Sequence, residues 1–264
     1  MRIALGLEYD GSAFCGWQTQ PNGCGIQDHL QAALASIAGH PIEVVAAGRT
    51  DTGVHASAQV VHFDCVADRD DNAWVRGTNT GLTPALRVLW SHRVPDDFHA
   101  RYSARSRTYR YVLLNEPVAP AVMRSRVGWY HRPLELAPMQ EAARALLGEH
   151  DFSAFRDAQC QAKSPVRNLA GCTIERAGSY FLFTFRANAF LHHMVRNIAG
   201  ALIAVGTDRR PGEWIAELLE TRDRRQGGVT APPQGLYLTH VEYPAEFGIP
   251  PADADGSCRG LGGV

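Results

Sequence analysis

The sequence predicts an α+β fold made of two halves that repeat one order of elements. Two observations carry this prediction. Apolar runs typical of strands alternate with segments of helical apolar spacing. Their order in the first hundred residues is β-α-β-β-α-β, and the same order recurs afterwards, as in a duplicated split-βαβ, ferredoxin-like arrangement. The length of 264 residues suits one large domain or two ordinary ones.

The first half, residues 1–100, alternates strands with two helices. Its first helix is indicated by Ile26, Leu30 and Leu34, which share one helical face. In chain order we predict a strand at 2–9, a helix at 25–38, strands at 42–47 and 57–63, a helix at 71–82 and a strand at 86–93.

The second half, residues 101–246, follows the same order. The predicted elements are a strand at 106–115, a helix at 136–147, a hairpin of 169–176 and 180–186, helices at 188–205 and 211–220, and a strand at 236–243. We expect the halves to form a pseudo-twofold antiparallel sheet with helices on one face. Residues 247–264 are rich in Pro, Gly and Asp and predict a disordered tail.

Composition and charge exclude several classes of protein. No apolar run approaches the ~18 residues of a spanning helix, and a signal-peptide core is lacking, so we expect a soluble, cytoplasmic protein without a membrane partner. The six cysteines form no C-x-x-C pair and no metal-like spacing, which predicts free thiols. The net charge of −1 gives no overall attraction to polyanions, but every basic residue except Lys163 is an arginine, the residue that grips phosphate bidentately.

The loop between the second and third predicted strands is the first candidate site. It reads Gly48-Arg-Thr-Asp-Thr-Gly-Val-His55. Two glycines and an aspartate between threonines favour a tight turn that presents the carboxylate of Asp51. The alternative is an Asx-turn, in which that carboxylate only bonds to its own backbone.

Arg196 is the second candidate, on the predicted helix 188–205. It lies one step off the apolar stripe of this helix, and no Asp or Glu occurs between Ser179 and Thr207. Arg196 therefore has no carboxylate one helical turn away. If it is partly buried, its partner must come from elsewhere, because an unpaired buried cation is costly, and we expect that partner to be Asp51. The alternative is that Arg196 simply reaches solvent.

The third candidate is a basic window at residues 101–132. Four tyrosines interleave with its arginines, which suits phosphate neutralisation together with base stacking. The alternative is a solvated charged face. The window holds a single acid, Glu116, against Arg101, Arg105, Arg107, Arg110, Arg124, Arg126 and Arg132.

We predict no metal site. His192 and His193 are adjacent on the predicted helix, so their side chains point about 100° apart and cannot easily share one ion. His55, His62 and Asp64 show no local ligand pattern.

Seven segments together resemble the tRNA pseudouridine synthase A family. They occur in the expected order over about residues 2–243, and the motif containing Asp51 is highly specific. The segments are Phe14-Cys-Gly-Trp-Gln18, Gly48-Arg-Thr-Asp-Thr-Gly-Val-His-Ala56, Gln59-Val-Val-His-Phe63, Phe98-His-Ala-Arg101, Thr108-Tyr-Arg-Tyr111, Phe190-Leu-His-His-Met-Val-Arg-Asn197 and Ala231-Pro-Pro-Gln-Gly-Leu-Tyr-Leu238.

The resemblance implies an isomerase that converts uridine to pseudouridine at positions 38, 39 and 40 of the tRNA anticodon stem-loop. It implies a homodimer that needs no cofactor, with a catalytic cleft between the halves. The catalytic aspartate would be Asp51, the base-stacking tyrosine Tyr109, and the active-site arginines Arg49 and Arg196. From the basic window we add Arg105, Arg107 and Arg110 as substrate-binding residues.

The residues suit this chemistry. One carboxylate can add to C1′ of the ribose, or it can remove a ribose proton to give a glycal, and the sequence leaves both routes open. An arginine beside the carboxylate favours its ionised form. The uridine must leave the stem to reach the aspartate, which calls for an aromatic ring to stack on the flipped base.

Two other functions remain as alternatives. The first is an RNA-binding or tRNA-chaperone module that does no chemistry, against which the intact Asp51 argues. The second is a sugar or phosphate hydrolase, which is disfavoured because no second carboxylate lies near the Asp51 turn in the sequence.

Overall fold

The computed structural model describes residues 1–250, which divide into two compact units. Within the described residues, the first unit contains Met1–Arg105 and residues 237–250, and the second contains Ser106–Leu236. The division falls after Arg105, and most of the last strand clusters with the first unit. Most of the predicted tail, from residue 251, lies outside the described residues. No helix within residues 1–250 has the length and apolar character needed to cross a membrane.

The elements follow the predicted α+β order. The strands are β1 (Arg2–Tyr9), β2 (Val45–Ala46), β3 (His55–Asp64), β4 (Leu86–Val94), β5 (Ser106–Asn115), β6 (Gly128–Tyr130), β7 (Gly148–Asp151), β8 (Val166–Ala177), β9 (Tyr180–Ala187) and β10 (Leu236–Glu242). The α-helices are α1 (Ile26–Ala38), α2 (Thr78–Gly81), α3 (Leu136–Arg144), α4 (Met194–Gly206) and α5 (Trp214–Thr221).

The sheet of the first unit has the spatial order β4-β1-β3-β10. β1 is antiparallel to both of its neighbours, and Tyr9 at its end lies opposite Ala56 of β3. β10 runs parallel to β3, with Tyr237 opposite His55. β2 covers only two residues of the predicted strand 42–47 and pairs with β3. The loop between β2 and β3 therefore ends next to the last residue of β1.

The helices of the first unit begin and end at the predicted places, with one irregularity. At the start of α1 the side chain of Asp28 accepts the backbone N–H of Gly25 at 3.0 Å, and the helix ends at Gly39, where φ is +76°. The predicted helix 71–82 contains a π-helical turn at Ala73–Gly77 before α2 begins. Trp74 in that turn is buried and packs edge-on against Phe63 at 5.2 Å.

The sheet of the second unit has the order β5-β9-β8-β7. Its pairs are antiparallel, and the predicted hairpin is confirmed as β8 and β9, which turn at Gly178 with φ of +60°. β6, which runs parallel to β5, and β7 were not predicted. They are only three and four residues long, so they contain too little alternation to be distinguished from loops.

The predicted helix 188–205 begins later than expected, at Met194. The preceding residue, His193, has a φ of +60°, which ends any helical path from the N-terminal side. The side chain of Asn188 accepts the backbone N–H groups of Asn168 and Ala189, which ties this segment to β8 instead. The apolar stripe gave no sign of this turn, because Phe190 and Leu191 continue the helical spacing.

Candidate active site

Asp51 lies on a β-turn that leads into β3. Its carbonyl oxygen accepts the N–H of Val54 at 3.1 Å, and Gly53 has a φ of +81°, the value a type II turn requires at its third residue. The N–H of Gly53 donates to the carbonyl oxygen of Gly11 at 3.3 Å, which fixes the turn to the end of β1. Asp51 is half-buried and Arg49 is exposed.

The Phe14–Gln18 segment packs against this turn. The N–H of Trp17 donates to the carbonyl oxygen of Thr50 at 2.9 Å. A Cβ atom on Gly16 would lie 3.0 Å from both the carbonyl oxygen of Thr50 and the backbone nitrogen of Thr52, and its φ is +90°. Both facts require glycine, so this motif supplies a close-fitting wall for the Asp51 turn.

The expectation of free cysteines is wrong for two of the six. Cys15 and Cys24 form a disulfide across a sequence separation of 9 residues, and the N–H of Cys15 donates to the carbonyl oxygen of Cys24 at 3.0 Å. Cys65, Cys160 and Cys172 are free, and Cys258 lies outside the described residues. The spacing of these two cysteines matches no familiar pair motif, and their sulfurs meet because the chain between them folds back on itself.

A buried polar cluster lies beneath the turn. The hydroxyls of Tyr9 and Thr50 are 2.9 Å apart, and the side-chain amide of Gln59 donates to Tyr9 and to the carbonyl oxygen of Gly48. Burial raises the pKa of Tyr9 to about 12, so its hydroxyl stays protonated at neutral pH. No local pattern indicated this cluster, because its members come from β1 and from two separate motifs.

The two histidines of β3 serve the fold. His55 is buried, accepts the N–H of Gly11 at 3.1 Å through Nδ1 and stacks on Tyr237 at 4.6 Å. The Nδ1 atom of His62 accepts the N–H of Ala100 at 3.1 Å. Burial, followed by the nearby positive charge of Arg2, lowers the pKa of His62 to about 4.

Tyr109 of β5 is only 8% exposed, opposite Phe185 of β9. Its ring meets the ring of Phe190 edge-on, with centroids 5.1 Å apart. Of the other tyrosines in the basic window, Tyr111 is fully buried, so it belongs to the core, while Tyr102 is 76% exposed.

The three predicted substrate-binding arginines differ in exposure. Arg105 is exposed at the end of the first unit, and Arg110 on β5 is half-buried. Arg107 is buried and donates through Nη1 to the carbonyl oxygen of Asn188 at 2.9 Å. Its burial makes Arg107 the least suited of the three to reach a phosphate. The other arginines of the window are all exposed, at Arg101, Arg124, Arg126 and Arg132.

Arg196 is half-buried on α4 of the second unit. Its Nε atom donates to the carbonyl oxygen of Ala231 at 2.9 Å, and the N–H of Ala231 donates back to the carbonyl oxygen of Arg196 at 3.0 Å. Because a Cβ atom on Gly200 would lie 1.8 Å from the carbonyl oxygen of Val229, glycine is required there for this close approach. The Ala231–Leu238 motif is thereby anchored to α4, and the guanidinium of Arg196 has a fixed direction.

A carboxylate from a distant part of the sequence contacts the two histidines that precede Met194, the first residue of α4. The Oδ2 atom of Asp157 is 2.8 Å from Nδ1 of His193, and its Oδ1 atom is 3.4 Å from Nδ1 of His192. Although partial burial opposes it, the backbone N–H of Gln159 and the two histidines together lower the pKa of Asp157. Asp157 is far from His193 in sequence, so no local pattern could have indicated this contact.

The predicted site residues are thus distributed over both units. Arg49, Asp51 and Arg105 belong to the first, whereas Arg107, Tyr109, Arg110 and Arg196 belong to the second.

A comparison with protein families identifies the class of this protein. The family model described as tRNA pseudouridine synthase matches residues 7–103 and 142–244, which is most of the chain. The chain therefore belongs to the tRNA pseudouridine synthase family, and as an enzyme it is an isomerase.

Individual relatives agree with this assignment. Proteins named tRNA pseudouridine synthase A from Thiobacillus denitrificans and Methylobacillus flagellatus are 56% and 57% identical over 250 residues, which cover 95% of this chain and 96% of each relative. One of the same name from Burkholderia mallei is 56% identical over 252 residues, covering 96% of this chain and 93% of the relative. A chain in the crystal structure of a Cbf5–Nop10–Gar1 complex has a TM-score of 0.35 at 12% identity, covering 89% of this chain and 48% of that one, which is too weak to support a conclusion.

Proposed function

We propose that this protein isomerises uridine to pseudouridine at positions 38, 39 and 40 in the anticodon stem-loop of tRNA, with Asp51 as the catalytic carboxylate. The observation that carries the proposal is the intact Gly48–Ala56 motif on a braced turn, in a chain 56% identical over 95% of its length to a protein named tRNA pseudouridine synthase A.

The reaction needs only one carboxylate of this kind. The C1′–N1 bond of uridine breaks, the uracil turns, and a bond forms between C1′ and C5, while the C5 proton is lost to solvent and N1 gains a proton. Asp51 can add to C1′ and leave again, or it can take a ribose proton and return it through a glycal. Either route ends with the carboxylate unchanged, so the reaction requires no cofactor.

We assign the other active-site roles by residue chemistry. Arg49, two residues before Asp51, and Arg196 are the arginines of the active site. Tyr109 stacks on the flipped uracil, a contact that needs only one open edge or face of its largely buried ring. Arg105 and Arg110 contact phosphates of the stem-loop. Arg107 stabilises β5 through its hydrogen bond to the carbonyl oxygen of Asn188.

We further propose that the protein acts in the cytoplasm as a homodimer. The chain is close to neutral, with a net charge of −1, so a polyanion as large as tRNA requires locally concentrated arginines. A twofold dimer brings two copies of the exposed arginines to one tRNA. Light scattering should give twice 28.9 kDa, and an active species with the mass of one chain would exclude the dimer.

The function is tested by tritium release from tRNA labelled at C5 of uridine, followed by carbodiimide mapping of the modified positions. The wild-type protein should release tritium and give signals at positions 38, 39 and 40. The Asp51→Asn variant, nearly the same in shape, should bind tRNA but release none. A wild-type protein that binds tRNA without forming pseudouridine would instead be an RNA-binding module.

A further inference from the structure

We propose that Tyr9 and Gln59 are positioning residues for Asp51. They act through a buried network of hydrogen bonds that holds Gly48 and Thr50, the two residues on either side of Arg49. The proposal rests on the proposed catalytic role of Asp51. It assigns a function to Gln59, the first residue of the Gln59–Phe63 motif, and to the tyrosine that ends β1.

The network begins at Gln59 on β3. Its side chain is completely buried, and its Nε2 atom lies 2.7 Å from the carbonyl oxygen of Gly48 and 3.2 Å from the hydroxyl of Tyr9. The carbonyl of Gly48 can only accept a hydrogen bond, so the nitrogen of the amide must face it. The amide oxygen meanwhile accepts the N–H of Val60 at 3.2 Å, which leaves the amide one orientation.

This orientation makes Gln59 the donor to Tyr9, while either hydroxyl can donate in the bond between Tyr9 and Thr50. The amide nitrogen donates to the hydroxyl oxygen of Tyr9, so the hydrogen of that hydroxyl is available for Oγ1 of Thr50, 2.9 Å away. Tyr9 and Thr50 are 4% and 6% exposed. Gly48 and Thr50, which flank Arg49, are therefore both held by buried hydrogen bonds. Thr50 is also the residue that precedes Asp51 in the chain.

Stability alone does not account for three polar side chains at this place. Burying an amide and two hydroxyls carries a desolvation cost that apolar side chains of the same shape would avoid, and hydrogen bonds only compensate for it. Hydrogen bonds are directional, however, so they fix the position of the groups that they join. A turn that is held at Gly48 and Thr50 keeps the carboxylate of Asp51 in place, and a displacement of the order of 1 Å at a catalytic group can cost roughly 10²-fold in rate.

The experiment measures single-turnover pseudouridine formation at saturating protein, together with the Kd for tRNA. Tyr9→Phe and Thr50→Val each remove one partner of the same bond without changing the shape of the side chain. We expect each to reduce the single-turnover rate by roughly 10-fold to 100-fold, while the Kd for tRNA changes by less than about twofold. Thr50→Ser keeps the Oγ atom and should restore most of the rate.

The matched control is Tyr243→Phe. The hydroxyl of Tyr243 donates to the carbonyl oxygen of Ala100 at 2.6 Å in the same unit, so this variant also loses one tyrosine hydrogen bond. We expect its rate to equal that of the wild type. The double variant of Tyr9→Phe with Thr50→Val should be no slower than the slower single variant, because the bond that Thr50→Val removes is already absent in Tyr9→Phe.

Failure of this inference can be distinguished from failure of the proposed function. If the wild type is active, Asp51→Asn is inactive, and Tyr9→Phe is as fast as Tyr243→Phe, Tyr9 has no positioning role and the inference is overturned. Equal rates for Thr50→Ser and Thr50→Val would overturn it as well, even if Tyr9→Phe does not fold. An active Asp51→Asn variant would refute the catalytic assignment itself.

Discussion

The hydroxyl oxygen of Tyr9 lies 2.9 Å from that of Thr50, the residue before Asp51, although 41 residues separate them in sequence. Tyr9 ends an interior strand of the first sheet, which is paired on both edges, whereas Thr50 belongs to a loop. The residue before the half-buried Asp51 is thus hydrogen-bonded to a strand that is held on both sides. A reactive group on a loop acquires a defined position in this way without being enclosed by the core.

We expect Asp51 and Arg196 to act in the same step. Arg196→Lys keeps the charge but loses the planar fork, so its single-turnover rate should fall by at least about 10-fold. The measurement is tritium release from this variant and from the wild type. A wild-type rate in Arg196→Lys would remove Arg196 from the active site.

Arg105 and Arg107 should behave differently when each is changed to alanine. Exposed Arg105 should contact phosphate, so its loss should reduce the slope of log K against log salt for tRNA binding by roughly 0.7–0.9. Buried Arg107→Ala should leave the slope unchanged, but it should lower the free energy of unfolding by about 1–3 kcal/mol, because the carbonyl of Asn188 loses its donor. Filter binding at several salt concentrations and urea unfolding measure the two effects. An unchanged slope in Arg105→Ala would mean that Arg105 serves solubility only.

Tyr109 should contribute its ring to catalysis, not its hydroxyl alone. Tyr109→Phe should bind tRNA as the wild type does and keep turnover, unless the hydroxyl also handles a proton at the uracil. Tyr109→Leu fills the site beside Phe190 but cannot stack, and it should lose roughly 1–3 kcal/mol of substrate binding. The KM for tRNA of both variants checks this expectation. Normal turnover in Tyr109→Leu would mean that Tyr109 only packs in the core and does not stack on the substrate.

His62 should make the protein less stable in mild acid. Its pKa is about 4 in the folded state against an ordinary value of 6.5, so the unfolded chain binds more protons between these values. Its contribution to stability is complete above about pH 6.5 and is lost as the pH falls towards 4, by roughly 2–3 kcal/mol. Urea unfolding at pH 7 and pH 4.5 measures this loss.

The contribution of His62 is isolated by comparison with a variant. His62→Gln should show a smaller loss of unfolding free energy between the two pH values than the wild type. The control, His131→Gln, replaces an exposed histidine and should show the wild-type loss. Equal losses in all three proteins would mean that His62 does not contribute.

The Cys15–Cys24 disulfide should stabilise the folded protein. A bond that closes a loop across a sequence separation of 9 residues restricts the unfolded chain by about 2–3 kcal/mol. Dithiothreitol should therefore lower the Tm of the wild type. The Cys15→Ser/Cys24→Ser variant should start from the lower Tm and not respond to the reductant, and a wild-type Tm that is insensitive to dithiothreitol would contradict this expectation.

Features that depend on near neighbours in sequence were accessible from the sequence. Apolar spacing predicted β1, α1, β3 and the β8–β9 hairpin. Each element must bury one face, and the spacing of its apolar residues shows which face that is. Glycine and threonine around Asp51 predicted a turn at that residue, since turns are built from adjacent residues. The tertiary structure changed little in these places beyond the exact ends of the elements.

Features that depend on distant partners were decided by the tertiary structure alone. The αL conformation of His193 delays α4, although the apolar spacing continues through Phe190 and Leu191. Arg107 and Arg105 look alike in sequence, but only Arg107 is buried, beside Asn188. Tyr9, Thr50 and Gln59 meet only because β1 pairs with β3 in one register. The sequence determined which residues could form strands, helices and a turn that carries a carboxylate, because those structures depend on near neighbours. The fold decided what each side chain contacts, because burial and hydrogen bonding join residues that are far apart in sequence.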